Sequence, residues 1–406
     1  MTKEKSTVPR LRFPGFTDAW KQRKFSDLAE VRRGLTYSPS AIRNHGVRVL
    51  RSSNINEDTF VFGEDDVFVD KSVVKIPLVE EGDILITSAN GSSRLVGKHS
   101  IIKGLPSNSA IHGGFMLLAS SKVPCFLNAF MSSTWYHKFI GLYVAGGNGA
   151  IGNLNKSDLD EQIVLVPTLP EQEAIGSFFS DLDQFITLHQ RKLDDVKELK
   201  KALLQKMFPK ENGNDFPELR FPEFTDAWKQ RKLGEYFVER LECSAEGELL
   251  SVTISDGVRR FSELDRKDNS SEDKTKYKML KQGDIVYNSM RMWQGASGYS
   301  IYDGIVSPAY TVLIPTYLSY ALFFSYLFKR SSSLQIFQVN SQGLTSDTWN
   351  LKYKPFSNIV FPAPTLPEQE AIGSFFSDLD QLITLHQRQL DHLKLLKKAL
   401  LQQMFI

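Results

Sequence analysis

The chain has little cysteine and no long apolar segment. Only two of its 406 residues are cysteines, Cys125 and Cys243, which is too few for a disulfide framework and typical of a reducing cytoplasm. The longest apolar stretch, residues 317–328, is shorter than the ~20 residues that a membrane-spanning helix needs. No basic segment followed by an apolar one is found near the start, so we expect no signal peptide. We therefore expect a cytoplasmic protein without a membrane contact.

An excess of charge of one sign is also lacking. The 49 lysines and arginines nearly balance the 47 aspartates and glutamates, and the net charge is +2. This balance excludes a uniformly basic nucleic-acid binder. Any surface that binds phosphates must be built from local clusters of basic residues.

Signatures of catalysis are missing as well. The sequence contains no Walker A lysine motif, no Asn-Pro-Pro-Tyr or Asp-Pro-Pro-Tyr methyltransferase signature and no HExxH zinc motif. Residues 147–152 match the GxGxxG fingerprint of dinucleotide-binding folds, but the strand expected at residues 163–166 begins too soon to leave room for a crossover helix. We therefore expect no catalytic residue, no metal and no cofactor in this chain.

The sequence does contain two internal repeats. Residues 11–24 recur as residues 219–232 with 13 of 14 positions identical, and residues 168–191 recur as residues 365–388 with 23 of 24 identical. The segments between these repeats barely align. The chain is thus two half-molecules with nearly identical ends and dissimilar middles, a pattern that suits two copies of one partner and two different targets.

The second repeat predicts two long helices. Thr168-Leu169-Pro170-Glu171 and its copy at residues 365–368 form a capping box, in which the threonine caps the first turn and the glutamate reaches back to the cap. The apolar residues that follow have the 3.5-residue period of a coiled coil, and the two helices are expected to pack antiparallel in a pseudo-twofold molecule. The apolar residues between the helices form a seam, which we expect to space the domains and to dock partners. The seam residues include Ile175, Phe179, Leu182, Ile186 and Leu193, and in the second copy Ile372, Phe376, Leu379, Ile383 and Leu390.

These patterns predict an α+β architecture with two mixed α/β domains. Trp20 and Trp228, which the first repeat duplicates, are interpreted as apolar anchors of the two domains. The expected boundaries are a first domain at 1–167, a central spacer helix at 168–208, a linker at 209–218, a second domain at 219–364 and a C-terminal spacer helix at 365–406.

Each middle segment contains a glycine turn, a strand and a polar loop. The strands are EGDILIT at residues 81–87 and QGDIVYN at residues 282–288. Asparagine, glutamine and arginine side chains can make the paired hydrogen bonds that distinguish bases in the major groove. We therefore predict DNA contacts in these loops, against the alternative of an ordinary solvated hairpin. The loop candidates are Asn90, Ser92, Ser93 and Arg94 in the first half, and Asn288, Arg291, Trp293 and Gln294 in the second.

Further candidates lie in local basic clusters that could position phosphates. In the first half the candidates are Arg32, Arg33 and Arg51, and in the second they are Arg259 and Arg260. The alternative for each is a solvated charged face. The acidic run at residues 64–66 is interpreted as a solvated loop and not as a metal site.

The whole pattern resembles the specificity subunit of Type I restriction–modification systems. The resemblance rests on the repeated TLPEQEAIGSFFSDLDQ and FTDAWKQRK segments and on the strands EGDILIT and QGDIVYN, and it covers essentially the whole chain. It implies that the two domains are target-recognition domains for double-stranded DNA. Each would read one half of a bipartite target, and the helices would set the unread gap between the halves.

The resemblance also implies partners that supply the chemistry. Two modification subunits would dock on the duplicated segments and transfer the methyl group of S-adenosylmethionine to adenine N6, with the base extruded from the duplex. Restriction subunits would add an ATP- and magnesium-dependent translocase and nuclease. Two alternatives stay open at this stage: an orphan DNA-binding adapter without active partners, and a coiled-coil scaffold whose domains bind proteins.

Overall fold

A computed structural model describes residues 7–143, 153–210, 216–268, 270–345 and 348–406. The chain divides into two compact units: unit 1 comprises Met1–Gln190 and Arg388–Ile406, and unit 2 comprises Arg191–Gln387. The GxGxxG match at residues 147–152 lies outside the described residues.

Unit 1 is an α+β domain. Its strands are β1 (Lys21–Lys24), β2 (Glu30–Arg33), β3 (Ile42–Arg43), β4 (Val47–Leu50), β5 (Ile55–Asn56), β6 (Thr59–Phe60), β7 (Val67–Val69), β8 (Ile84–Thr87), β9 (His99–Ile101), β10 (Ala110–His112), β11 (Met116–Ser120) and β12 (Ile163–Val166). Its helices are α1 (Pro124–Met131), α2 (Thr134–Tyr143), α3 (Lys156–Asp160), the first part of α4 (Leu169–Lys206) and, from the end of the chain, the last part of α9 (Leu366–Met404).

The central sheet of unit 1 is antiparallel, with the strand order β2-β11-β8-β9. Ile84 and Ile86 of β8 pack in one hydrophobic cluster with residues of α1 and α2, whereas Leu85 packs in another cluster on the opposite face. Burial on both faces explains why β8 is apolar without alternation. A second sheet has the order β10-β4-β7-β3, and β1 pairs with β12.

Unit 2 repeats this plan with different residues. Its strands are β13 (Lys229–Lys232), β14 (Phe237–Glu239), β15 (Leu250–Thr253), β16 (Gly257–Arg260), β17 (Lys278–Leu280), β18 (Ile285–Asn288), β19 (Ser297–Tyr299), β20 (Gly304–Val306), β21 (Tyr310–Pro315) and β22 (Val360–Ala363). Its helices are the second part of α4, α5 (Leu233–Tyr236), α6 (Ala321–Leu327), α7 (Ser331–Asn340), α8 (Tyr353–Asn358) and the first part of α9 (Leu366–Met404).

The central sheet of unit 2 has the order β14-β21-β18-β19, which matches the sheet of unit 1 strand for strand. β18 is likewise buried on both faces, since Ile285 and Tyr287 join one cluster and Val286 another. β13 pairs with β22 as β1 pairs with β12. Two dissimilar segments therefore fold around one common sheet.

The duplicated helices form the predicted seam. Ile175, Phe179, Leu182 and Leu193 are buried and Ile186 is half-buried. In α9 the residues Ile372, Phe376 and Leu390 are buried, and Leu379 and Ile383 are half-buried. The start of α4 and the end of α9 share one cluster in unit 1, and the end of α4 and the start of α9 share another in unit 2. The helix segments in each unit are therefore antiparallel, as predicted.

Two lysines of the seam are explained by ion pairs. Lys397 Nζ lies 2.7 Å from Asp183 Oδ1 in unit 1, and Lys200 pairs with Asp380 at the equivalent place in unit 2. Both lysine side chains are largely buried, at 12% and 20% exposure. A charge in this position is tolerated because its partner is within hydrogen-bonding distance.

A buried ion pair attaches the first repeat to the second in each unit. Arg12 donates from Nε and Nη2 to both carboxylate oxygens of Glu171, and Arg220 donates in the same way to Glu368, at 2.6–2.7 Å. The side chains of Glu171 and Glu368 are 0% and 1% exposed. The expectation that these glutamates reach back to cap the helix was wrong, because each carboxylate points to the arginine and accepts from it instead of from the cap backbone.

The tryptophans of the first repeat are buried in the two units, as predicted for apolar anchors. Trp20 and Trp228 are 3% and 2% exposed and pack against Phe405 and Phe208, respectively. Trp228 Nε1 also donates to Glu368 at 3.3 Å, whereas Trp20 Nε1 is buried without a hydrogen-bond partner among the described residues.

We expect Glu368→Gln to destabilise unit 2 by about 3 kcal/mol or more, because it leaves the largely buried Arg220 without its charge partner. Glu171→Gln should cost less, since Glu171 lacks the tryptophan bond. The measurement is urea unfolding of the full chain, with hydrogen exchange to locate the weakened unit. Glu370→Gln, at an exposed position on the same helix, is the control, and a Glu368→Gln variant as stable as that control would contradict the assignment.

Candidate nucleic-acid interface

The strand that precedes each candidate loop is fixed by a buried aspartate. Asp83 accepts from Arg32 Nη2 at 3.2 Å and from Ser120 Oγ at 2.6 Å. Asp284, its counterpart in the QGD motif, accepts from Arg240 Nε and Nη2 at 2.8 and 3.0 Å. Each aspartate also accepts from the backbone N–H three residues earlier in the chain. The Gly-Asp motif thus anchors the strand, and the charge of the candidate Arg32 is neutralised inside unit 1.

Both candidate loops are hairpins that contain a 3-10 turn. In unit 1 residues 88–98 join β8 to β9 with a turn at Ser93–Leu95, and in unit 2 residues 289–296 join β18 to β19 with a turn at Met292–Gln294. A glycine with positive φ follows each turn, Gly97 at +85° and Gly295 at +89°. The two loops therefore occupy the same place in the fold although their sequences differ.

The loop of unit 1 brings most of its predicted residues together. Asn90 Nδ2 donates to Ser52 Oγ at 3.1 Å, which places the loop next to Arg51, and Asn90 Oδ1 accepts from the Ser92 backbone at 3.0 Å. Ser92, Ser93 and Arg94 are exposed. Arg94 has no ion pair among the described residues, so its charge is available to a ligand.

The acidic run at residues 64–66 binds the basic residues that lie next to this loop. Asp66 pairs with Arg48 and accepts from the buried Asn54, and its side chain is 2% exposed. Asp65 accepts from Arg51 Nη2 through its backbone and side-chain oxygens, at 2.6 and 3.1 Å. The interpretation of the whole run as a solvated loop was therefore wrong for Asp66, whose burial follows from its two partners.

The loop of unit 2 is stiffened by its own hydrogen bonds. Asn288 Oδ1 accepts from the Met290 backbone at 3.0 Å, and Trp293 Nε1 donates to Met290 O at 3.2 Å. Trp293 is half-buried and meets Trp349 edge to face at 5.2 Å. Arg291 is exposed and donates to Gln294 at 3.3 Å, without an acidic partner among the described residues.

The remaining basic candidates lie on strands outside the loops. Arg33 is exposed on β2 and has no ion pair in the described part of the chain. Arg259 pairs with Glu263 at 3.4 Å. Arg260 pairs with Glu248 at 3.3 Å and stacks over the ring of Tyr302 at 5.0 Å. The contribution of each candidate to DNA binding stays a prediction, but Arg33, Arg94 and Arg291 are those not held by a carboxylate.

Both loops share one support that was not predicted from the sequence. The backbone N–H of Leu154 donates to Ser88 O at 2.7 Å, and that of Leu351 donates to Ser289 O at 2.8 Å. These bonds hold the first residue of each loop. The signal was available, because the Asn-Leu pair at residues 153–154 recurs at residues 350–351, at the offset of the duplicated helix.

Two further findings bear on the kind of site. Among the described residues, no group of three or more histidine, cysteine, aspartate or glutamate side chains is placed to hold a metal ion. Within the same part of the chain, every helix is too short or too polar to cross a membrane.

Comparison with known proteins identifies related chains. The type I restriction enzyme MjaVIII specificity subunit of Methanocaldococcus jannaschii is 23% identical over 350 residues, which are 80% of this chain and 78% of that protein. A protein of the same organism named as the MjaX specificity subunit is 26% identical over 229 residues. The EcoKI specificity subunit of Escherichia coli is 26% identical over 195 residues, which are 46% of this chain. The chain spans 53% of the MjaX protein and 41% of the EcoKI subunit.

A solved structure and a family model agree with these relatives. The S subunit of a type I restriction-modification system from M. genitalium aligns with 98% of this chain and 99% of its own, with a TM-score of 0.58 and 15% identity. This likeness confirms the predicted fold class of two mixed α/β domains with two long helices. The family model of the type I restriction modification DNA specificity domain matches residues 17–198 and 250–395. The chain therefore belongs to the family of type I restriction modification DNA specificity domains.

Proposed function

We propose that this chain is the DNA-reading subunit of a type I restriction–modification complex and that each unit reads one half of a bipartite target. The observation that carries the proposal is that two loops of different sequence occupy the same place in two copies of one sheet. A common frame with different polar loops suits recognition of two different base sequences. The coiled-coil helices, which continue from one unit into the other, would set the number of unread base pairs.

Arg94 and Arg291 are the side chains that we propose to act at the DNA. Each is exposed, and each lies at the 3-10 turn of its hairpin. Since neither is held by a carboxylate in the described residues, contact with a guanine edge or a phosphate would not break an ion pair. The buried Gly-Asp clamp at the base of each hairpin would keep these arginines in register with the sheet.

The duplicated helices carry exposed apolar residues at equivalent positions in the two units. They are Phe185, Leu188 and Leu396 in unit 1 and Leu382, Leu385 and Leu199 in unit 2, with exposures between 38% and 58%, and we take each set as one apolar surface. Apolar side chains outside the seam on a helix indicate a partner surface. Two equivalent surfaces support two modification subunits, one docked on each unit.

The partners would supply the chemistry in this proposal. The modification subunits would bind S-adenosylmethionine and methylate adenine N6, and restriction subunits would use ATP and magnesium for translocation and cleavage. This chain would act in the cytoplasm without catalysing a step, by placing a methyltransferase over an adenine in each half-site.

We expect Arg291→Ala to weaken recognition of the second half-site only, and Arg94→Ala that of the first only. Loss of one base or phosphate contact should lower affinity about 10- to 100-fold at that half-site. The measurement is binding of the full chain with its modification subunits to duplexes altered in one half. Lys103→Ala, at an exposed position beyond the end of β9 that is away from the loop, is the control. A variant that affects both halves equally would contradict the assignment of one half to each unit.

Glutamates placed on one apolar surface should remove one modification subunit. We expect the double variant Phe185→Glu, Leu188→Glu to bind one modification subunit where the unaltered chain binds two, because a charge in an apolar interface is not solvated. Native mass spectrometry of the purified complex measures this ratio. Gln184→Glu, at a neighbouring exposed position, is the control, and retention of two subunits by the double variant would contradict this docking site.

A genome-wide map of N6-methyladenine with and without this gene tests the whole proposal. We expect one bipartite motif to lose methylation when the gene is deleted. An unchanged map together with DNA binding that falls steeply with salt would favour the orphan adapter. An unchanged map and no DNA binding would favour the protein-interaction scaffold.

A further inference from the structure

The loop of unit 2 is held from behind by a lysine that is not part of it. Lys329 Nζ donates to Gly295 O at 2.6 Å and to Ile254 O at 2.8 Å. Gly295 closes the 3-10 turn that carries Trp293, and Ile254 lies in the turn between β15 and β16. One ammonium group therefore fastens the candidate loop to a neighbouring hairpin, and burial lowers the pKa of Lys329 to about 8.

The loop of unit 1 is held at the equivalent atom by different chemistry. The hydroxyl of Tyr136 donates to Gly97 O at 3.0 Å, and His99 Nδ1 lies 3.2 Å from the same oxygen. Tyr136 is 2% exposed, and burial raises the pKa of its phenol. Tyr136 lies in α2, whereas Lys329 lies between α6 and α7, so both anchors come from the helical layer behind the central sheet.

We infer that Tyr136 and Lys329 are positioning residues for DNA reading, each fixing its recognition loop through the carbonyl of the closing glycine. The inference rests on the proposed function, since it assumes that these loops meet DNA. The evidence for it is that two dissimilar domains anchor the same backbone atom by unrelated side chains. The two side chains share no chemistry. We therefore explain their convergence on one backbone atom by a common need to fix the position of the loop.

This carbonyl lies where a small rotation of the backbone would displace the whole loop. A glycine with positive φ reverses the chain, so a rotation there would move the whole 3-10 turn and the arginine on it. The backbone atoms at the first residue of each loop are already bonded to Leu154 or Leu351. The anchor at the glycine holds the other end, and the loop is then fixed at both ends with its outer side chains exposed.

Two matched variants test the anchors in the full chain with its modification subunits. Tyr136→Phe removes only a hydroxyl, and Lys329→Met removes the amine while keeping an apolar stem of similar length. Loss of the hydrogen bonds should lower the hydrogen-exchange protection of residues 289–297 about tenfold or more in Lys329→Met. Protection of residues 88–98 should fall about threefold in Tyr136→Phe, where His99 remains.

Selection from a pool of duplexes with randomised sequence gives the second readout. We expect Lys329→Met to reduce enrichment of the second half-site and Tyr136→Phe that of the first, each leaving the other half unchanged. Unchanged exchange in both loops would overturn the anchors and leave the proposed function standing. Loosened loops with unchanged selection would instead contradict the reading role of the loops, and with it the positioning role of their anchors.

Discussion

The paired hydrogen bonds of Arg12 with Glu171 and of Arg220 with Glu368 determine how each unit is assembled. A buried carboxylate without a cationic partner is strongly destabilising, so the segment that carries the arginine must dock where the long helix begins. Docking brings Trp20 or Trp228 into the core and places β1 or β13 beside β12 or β22. The base of each unit is thereby the same whatever lies between the repeats, which explains why two dissimilar middles are accommodated.

Above this common base, the same sheet is stabilised by different residues in the two units. The aspartate of the Gly-Asp motif is retained, while its arginine partner comes from within β2 in unit 1 and from the residue after β14 in unit 2. The closing glycine of the loop is retained, while its anchor is a tyrosine in one unit and a lysine in the other. The backbone positions that hold a loop are thus conserved between the halves, and the side chains that a ligand would meet are not.

Sequence reasoning could predict what depends on local pattern. The seam residues, the doubly buried strands β8 and β18 and the anchors Trp20 and Trp228 follow from periodicity, apolar runs and repetition. The ion pairs could not be predicted, since Arg51 finds Asp65 and Arg32 finds Asp83 only through the tertiary fold. The glutamates of the capping box were misassigned for the same reason. Their position favours a local bond, but an arginine 159 or 148 residues away forms a stronger, charge-assisted one.

A net charge of +2 gives this proposed DNA reader little general attraction to phosphates, and the pairing of charges lowers that attraction further. A basic side chain that already has a buried or bidentate acidic partner contributes to phosphate binding only if that pair is broken, which costs free energy. The counting of arginines in the sequence therefore overestimates the basic surface. Among the candidate arginines, Arg33, Arg94 and Arg291 have no carboxylate partner in the described part of the chain, and two of these three lie on the recognition loops. We expect DNA recognition by such a surface to depend on the positions of a few arginines more than on general attraction to phosphates. The residues that fix the loops then determine how well the target is recognised.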